Sequence, residues 1–289
     1  MHRVTVIVGV NREMRGRCRV FSVLAVLVAV LAVSAVFASG VVNPSVFTFN
    51  TMYGVQPNSP GTTVFVDPNQ IIKDYYNDPG YQIGNKFTIH INVSEATDLF
   101  TWQVNVTWDP AKLSFSKIKS YGPFLWGTAS PNGTSGWINR NPLNNVTVVS
   151  FDNVKGYAAV AETILDSRVG AIGITGAGRL CSLEFTVVDY GYSNFTISTS
   201  GGTLPTTLLN SAGTSMTFST TNGYFRNALT GDANVDKTIN VFDIVAVKSR
   251  WGRTPASPDW IREYDVNNDD AMNVFDIVTV KANWGRTVP

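Results

Sequence analysis

Near the C-terminal end of the chain, one spacing of oxygen-bearing residues occurs twice. Asp232, Asn234, Asp236, Thr238 and Asp243 stand at positions 1, 3, 5, 7 and 12 of one stretch. Asp265, Asn267, Asp269, Ala271 and Asp276 hold the same positions of a second, 33 residues further on. In a tight loop, alternate side chains converge on one centre. Position 7 gives only its backbone carbonyl, so Thr238 and Ala271 serve alike, and position 12 returns from the helix that follows. Position 9, Asn240 in one copy and Asn273 in the other, suits a bridging water. Every donor is oxygen, with no His or Cys, which favours calcium over zinc or copper. Three carboxylates converge in each loop and repel one another without a cation, so metal binding and folding are expected to be coupled. The competing reading, in which these acids merely solvate turns, fits poorly with two copies in identical register. Position 6, usually Gly for the sharp turn, is Lys237 in the first loop and Asp270 in the second. Lys237 is expected to strain the turn and bring a positive charge, so the first site is predicted to be the weaker.

Each loop leads into one helix, and the helices repeat too. Val241-Phe242-Asp243-Ile244-Val245 returns as Val274-Phe275-Asp276-Ile277-Val278, and Trp251-Gly252-Arg253-Thr254 as Trp284-Gly285-Arg286-Thr287. Gly252 and Gly285 stand where a helix would stop in a left-handed cap. So small a module, with short helices, is metal-dependent on size grounds as well.

These repeats resemble the type I dockerin domain: two loop–helix units with Asp at position 12, not the Glu of an EF-hand, and no entering helix. The resemblance covers 231–287, with repeats at 232–252 and 265–285. It implies two calcium ions and recognition of a cohesin domain through loop positions 10 and 11 and the helix beyond. Here those positions are Val241 and Phe242, and Val274 and Phe275; Lys248 and Arg253, and Lys281 and Arg286, lie on the same helices or just after them. An apolar pair rimmed by a basic residue would make a hot spot. The competing reading packs Phe242 and Phe275 between the helices, and the sequence leaves the two open. Near-identity of the copies implies that either helix could present the same surface, in two orientations.

Ahead of this module the pattern is β. Phe87, Ile89, Ile91 and Val93 alternate with Thr88, His90 and Asn92; Phe100, Trp102, Val104, Val106 and Trp108 alternate with Thr101, Gln103, Asn105 and Thr107. Each run reads as a strand with one buried face. Similar runs follow at 146–151, 180–188 and 195–198, punctuated by Gly, Pro, Asn and Asp, which suggests a β-sandwich. Residues 62–226 resemble a cohesin-type module in Trp108-Asp109-Pro110 with Leu113, Gly122-Pro123-Phe124-Leu125, Gly176-x-Gly178-x-Leu180 leading into Phe185-Thr186-Val187, and Asn222-Gly223-Tyr224-Phe225. Signal, cohesin-like sandwich and terminal dockerin in this order resemble secreted archaeal proteins. The fold class implied is mainly β: a cohesin-like jelly-roll sandwich followed by a small all-α dockerin. Such sandwiches bind dockerins or polysaccharide. The insertion 73–82 carries Tyr75, Tyr76 and Tyr81, which offer rings to a sugar, although loop packing is the favoured role.

The first 38 residues read as a secretory signal: Arg15, Arg17 and Arg19 precede an apolar run ending in Val36-Phe37-Ala38, and Met14 offers an alternative start. A retained anchor is the competing reading, since the run approaches the ~20 apolar residues that span a bilayer. Residues 39–61 read as a linker. Beyond the signal Cys181 stands alone, in the inward phase of a strand with Leu183, Phe185 and Val187, so no intrachain disulfide forms and a buried hydrophobe is expected. N-x-[ST] sequons at Asn92, Asn105, Asn132, Asn145 and Asn194 are candidate glycan sites on an exported chain.

With a net charge of +1 there is no basic face for nucleic acid. His90 is in an outward strand phase, and no nucleophile elbow, P-loop or HExxH occurs, so the chain reads as non-catalytic. The favoured function is a secreted, calcium-dependent assembly module whose partner is a cohesin-type or dockerin-type domain. The alternatives are a carbohydrate-binding module tethered by a dockerin and, last, a small glycoside hydrolase.

Overall fold

The computed structural model describes residues 3–7, 61–121, 145–164, 173–200 and 204–289. Among the described residues twelve strands precede two α-helices: β1 (Arg3–Ile7), β2 (Thr63–Asp67), β3 (Gln70–Asp74), β4 (Lys86–Thr107), β5 (Leu113–Tyr121), β6 (Asn145–Asp152), β7 (Tyr157–Ile164), β8 (Ile174–Val187), β9 (Tyr192–Ile197), β10 (Thr207–Asn210), β11 (Ser219–Thr221), β12 (Gly223–Ala228), α1 (Val241–Ser249) and α2 (Val274–Ala282).

Strand β4 organises the first domain. The two alternating runs read from the sequence are one continuous strand, bent where its register against β8 shifts around Ala96 and Leu99. Glu95 and Asp98 take positive φ (51° and 59°) at that bend. The first half of β4 pairs with β2 and β8, and β8 in turn with β5. The second half pairs with β7 and β10 and, at its end, with β9. One strand thus serves two layers. The layers meet through aromatic rings: Phe87 of β4 stacks on Phe225 of β12 with centroids 4.7 Å apart, and Phe185 of β8 meets Phe195 of β9 at 5.0 Å. Trp108 closes the same core against Phe185 at 5.0 Å, its indole N–H donating to the Leu113 carbonyl at 2.8 Å. This is the sandwich expected. Cys181 is buried in it, and burial pushes its thiol well up. His90 bonds through Nδ1 to the Ser182 hydroxyl at 2.8 Å, and burial, followed by the Arg179 charge, lowers its pKa.

Strand β12 is buried along its whole length. With a two-residue period that requires cover on both faces. Phe225 faces the sandwich core, while Tyr224, Arg226 and Ala228 face the helical module. The strand runs two residues past Arg226, where the sandwich was expected to end, and leads into the first loop.

Candidate calcium loops and docking face

The two loops are built alike. In the first, the amides of Asp236 and Lys237 donate to the two Asp232 oxygens at 3.1 and 2.9 Å. In the second, the amides of Asp269 and Asp270 do the same for Asp265, also at 3.1 and 2.9 Å. The position-12 carboxylates close each loop: Asp243 accepts from the amides of Ala233 (2.9 Å) and Asn240 (2.8 Å), and Asp276 from those of Val266 (3.0 Å) and Asn273 (2.8 Å). The bonds to Asn240 and Asn273 form capping boxes, so the same acid that ends each loop starts its helix. Asn234 and Asn267 turn their amides to Asp236 and Asp269 at 2.8 and 2.9 Å.

Oxygens of Asp265, Asp269 and Asp276 lie within 4.8 Å of one another. Burial raises the pKa of Asp232, Asp243 and Asp276, and pushes Asp265 up to about 6, with Asp276 and Asp269 adding repulsion. Two buried carboxylates crowded with the exposed Asp269 favour a cation between them in the second loop, and an all-oxygen set of this kind fits calcium. Thr238 and Ala271 sit at position 7, and Asn240 and Asn273 donate back to their carbonyls at 3.3 and 3.1 Å.

The backbone shows where the copies differ. Positions 4 and 6 take positive φ in both loops: Val235 (59°) and Lys237 (75°) in the first, Asn268 (58°) and Asp270 (62°) in the second. Asn and Asp tolerate that region, whereas a β-branched Val there is an outlier. The strain foreseen at Lys237 is accompanied by a second one at Val235. The Lys237 charge lies 3.7 Å from Asp189 of the sandwich.

The loops exchange strands of bonding. Position 8 of each pairs with the segment after the other helix: Met272 accepts from the Gly252 amide at 2.8 Å, and Ile239 accepts from that of Gly285 at 2.9 Å. Gly252 and Gly285 do take positive φ, 74° and 78°, but neither caps its helix directly. The caps are Arg250 and Asn283, and one further turn precedes each glycine.

Both phenylalanines of the docking-position pairs face solvent. Phe242 is 64% exposed and Phe275 62%, so neither packs between the helices. Val241 and Val245 on α1, and Val274 and Val278 on α2, stand exposed beside them, with Trp251 and Trp284 beyond. Val245 lies four residues after Val241 and three after Phe242, as Val278 does after Val274 and Phe275, so each trio lines one side of its helix, and Lys248 or Lys281, seven residues after the first valine, extends it. The helices bury Ala246, Val247 and Val280 instead.

The two basic residues after the helices part company. Arg253 is exposed and pairs with Asp259 at 2.9 Å. Arg286 turns away from any docking face: its guanidinium pairs with Asp74 of β3 and lies 5.8 Å from the centre of the Tyr76 ring. Its expected place on a partner surface is therefore corrected to a bond between the domains. Tyr75 packs on Tyr190 (5.5 Å), Tyr81 on Phe87 (5.8 Å), and the Tyr76 hydroxyl donates to the Thr287 carbonyl at 2.7 Å, so the insertion tyrosines pack within the chain.

Among the sequons, Asn194 is exposed on β9, and Asn92 is partly buried with its amide on Asp67 at 3.1 Å. Asn105 is only 8% exposed, which leaves no room for a glycan in the folded domain and corrects that candidate. Asn132 and the Asn145 side chain lie outside the described residues. No helix among the described residues is long and apolar enough to cross a membrane.

Tyr190 and Arg226, both buried against the first loop, were missed in the sequence. Neither lies in a repeat or a motif, and only the chain's return from β12 into the loop brings them there.

No curated protein matches the chain. Among solved structures it is similar to the third cohesin ScaC of Acetivibrio cellulolyticus, described in complex with the ScaB dockerin (14% identity, 58% of this chain and 99% of that one, TM-score 0.40). A type II cohesin domain from the cellulosome of Acetivibrio cellulolyticus is similar at 17% identity, over 59% of this chain and 95% of that one, with a TM-score of 0.40. A non-cellulosomal cohesin from the hyperthermophilic archaeon Archaeoglobus fulgidus is similar at 16% identity, over 60% and 95%, with a TM-score of 0.37. The family model of the dockerin type I domain matches residues 230–283, the segment that holds both loops and both helices.

Proposed function

We propose that the chain is an exported, non-catalytic assembly protein whose C-terminal module, 231–287, binds two calcium ions and docks onto a cohesin domain of a partner. One observation carries this reading. Two acid-lined loops each launch a helix whose apolar stripe, Val241-Phe242-Val245 or Val274-Phe275-Val278, stands in water and not in the core. Exposed apolar stripes at the same positions of two repeats are costly unless something covers them. The ions hold the loops closed, the loops fix where each helix begins, and each helix start places its phenylalanine. Docking should therefore require calcium.

The sandwich, 62–226, is read as a cohesin-like receiver for a dockerin of another chain, on the motifs named above. The signal over 1–38 would deliver the protein outside the cell, where millimolar calcium suits sites of this kind.

The test is capture of the full chain on a panel of immobilised cohesin domains, with calcium and with chelator, beside the Phe242→Ala/Phe275→Ala double variant. Capture in calcium that is lost in chelator and lost in the double variant is the expected result. Capture that ignores both would sink the reading, and retention on a glycan array by the sandwich in place of any cohesin or dockerin would favour the carbohydrate-binding alternative.

A further inference from the structure

The first calcium loop is not self-contained. Asp232 is fully buried, and its Oδ2 accepts a 2.6 Å hydrogen bond from the hydroxyl of Tyr190, in the turn between β8 and β9 of the sandwich. The same hydroxyl accepts from the Leu229 amide at 2.6 Å, so its proton is committed to Asp232. Arg226 of β12 donates to the Asp232 carbonyl at 2.7 Å. The Tyr190 turn is pinned in its own domain: Lys112 Nζ donates to the Tyr190 carbonyl at 2.8 Å and to Asp189 at 2.7 Å. The Val235 side chain lies against Gly191, next in that turn. Asp265, the counterpart of Asp232, accepts from amides of its own loop, and among the described residues no sandwich side chain donates to it. The loop that leans on the sandwich is also the one with Val235 and Lys237 at positive φ, whereas Asn268 and Asp270 suit that backbone.

We propose that Tyr190 is a positioning residue of the first calcium site, and that ion binding there is coupled to docking of the helical module on the sandwich. The inference rests on the calcium reading above. A position-1 carboxylate gives an oxygen to the ion while its remaining lone pairs are held by outer partners, and such partners orient the ligand. Here an outer partner belongs to another domain. Docking fixes Asp232 in the orientation that the strained loop does not secure by itself, and by linkage the ion must tighten docking by the same factor. Loss of calcium from this loop would loosen the module from the sandwich, while the second loop would respond to calcium independently.

Calorimetric titration of the full chain with calcium tests this. Asp232→Ala, which removes the first site, assigns the two events. Tyr190→Phe keeps the ring and removes only the oxygen; it is expected to weaken the first site by roughly tenfold or more and leave the second unchanged. Lys112→Met, which frees the turn without touching the loop, is the second variant and should weaken the same site alone. A purely structural role would lower the melting temperature equally with and without calcium; the coupled role lowers it more in calcium. Equal weakening of both sites, or of neither, would overturn the proposal. A wild-type chain that binds no calcium would overturn the calcium reading itself.

Discussion

The guanidinium of Arg286, just after the second helix, grips both carboxylate oxygens of Asp74 at the end of β3, Nη2 to Oδ1 at 2.9 Å and Nη1 to Oδ2 at 3.1 Å. The pair joins residues 212 apart in sequence and ties the last turn of the chain to the first domain. Asp74 also accepts from the amides of Tyr76, Asn77 and Thr230, so it orders the insertion, the strand end and the entry to the first loop together.

Arg286→Ala should therefore destabilise the docked chain. Removing one partner of a buried pair costs ~3–5 kcal/mol. The Asp74 side chain is 7% exposed but that of Arg286 is 27% exposed, so screening reduces the loss to about 2 kcal/mol. Denaturant unfolding in saturating calcium measures it. Arg253→Ala, in the first repeat, should change stability by less than about 0.5 kcal/mol, since its ion pair is exposed.

The same pair sets a pH dependence. Burial acts to raise the Asp74 pKa, but the Arg286 bond and the amides of Thr230 and Asn77 outweigh it, leaving the pKa well below the usual carboxylate range. A carboxylate whose folded pKa is depressed contributes stability that is fully present above its unfolded value of ~3.9 and is lost as pH falls toward the folded pKa. The stability gap between wild type and Asp74→Asn should be constant above about pH 5 and shrink below about pH 4. Paired unfolding curves across that range check the sign; a gap that widens on acidification would contradict it.

The exposed residues of the proposed docking face should matter for binding and not for folding. Phe242→Ala and Phe275→Ala should each change unfolding free energy by less than about 0.5 kcal/mol, as surface substitutions do. By contrast Phe225→Ala, at the Phe87 stack inside the sandwich, should cost about 3–5 kcal/mol. If both helices can present their stripe, each single Phe variant keeps cohesin affinity and only the double variant loses about 2 kcal/mol or more. Surface plasmon resonance on a cohesin that captures the wild type separates these outcomes.

Much of this was legible in the residues. The loop spacing and the 33-residue repeat place both acid-lined loops and both helices, because such a loop is a local object whose geometry is written in consecutive residues. Alternation likewise gave the halves of β4, but not their fusion into one strand, since the Glu95–Asp98 bend breaks the period. What the sequence hid is long-range. Arg286 repeats Arg253 in register, yet Asp74 recruits only one of them, and nothing local marks that choice. Tyr190 sits outside every motif for the same reason.

The most direct measurement of the central claim is amide hydrogen exchange on the full chain, with calcium and after chelation. The account predicts that amides of 241–249 and 274–282 are protected in calcium and lose that protection on chelation, while β4 and β8 keep theirs. Helices that stay equally protected once the ion is gone would contradict it.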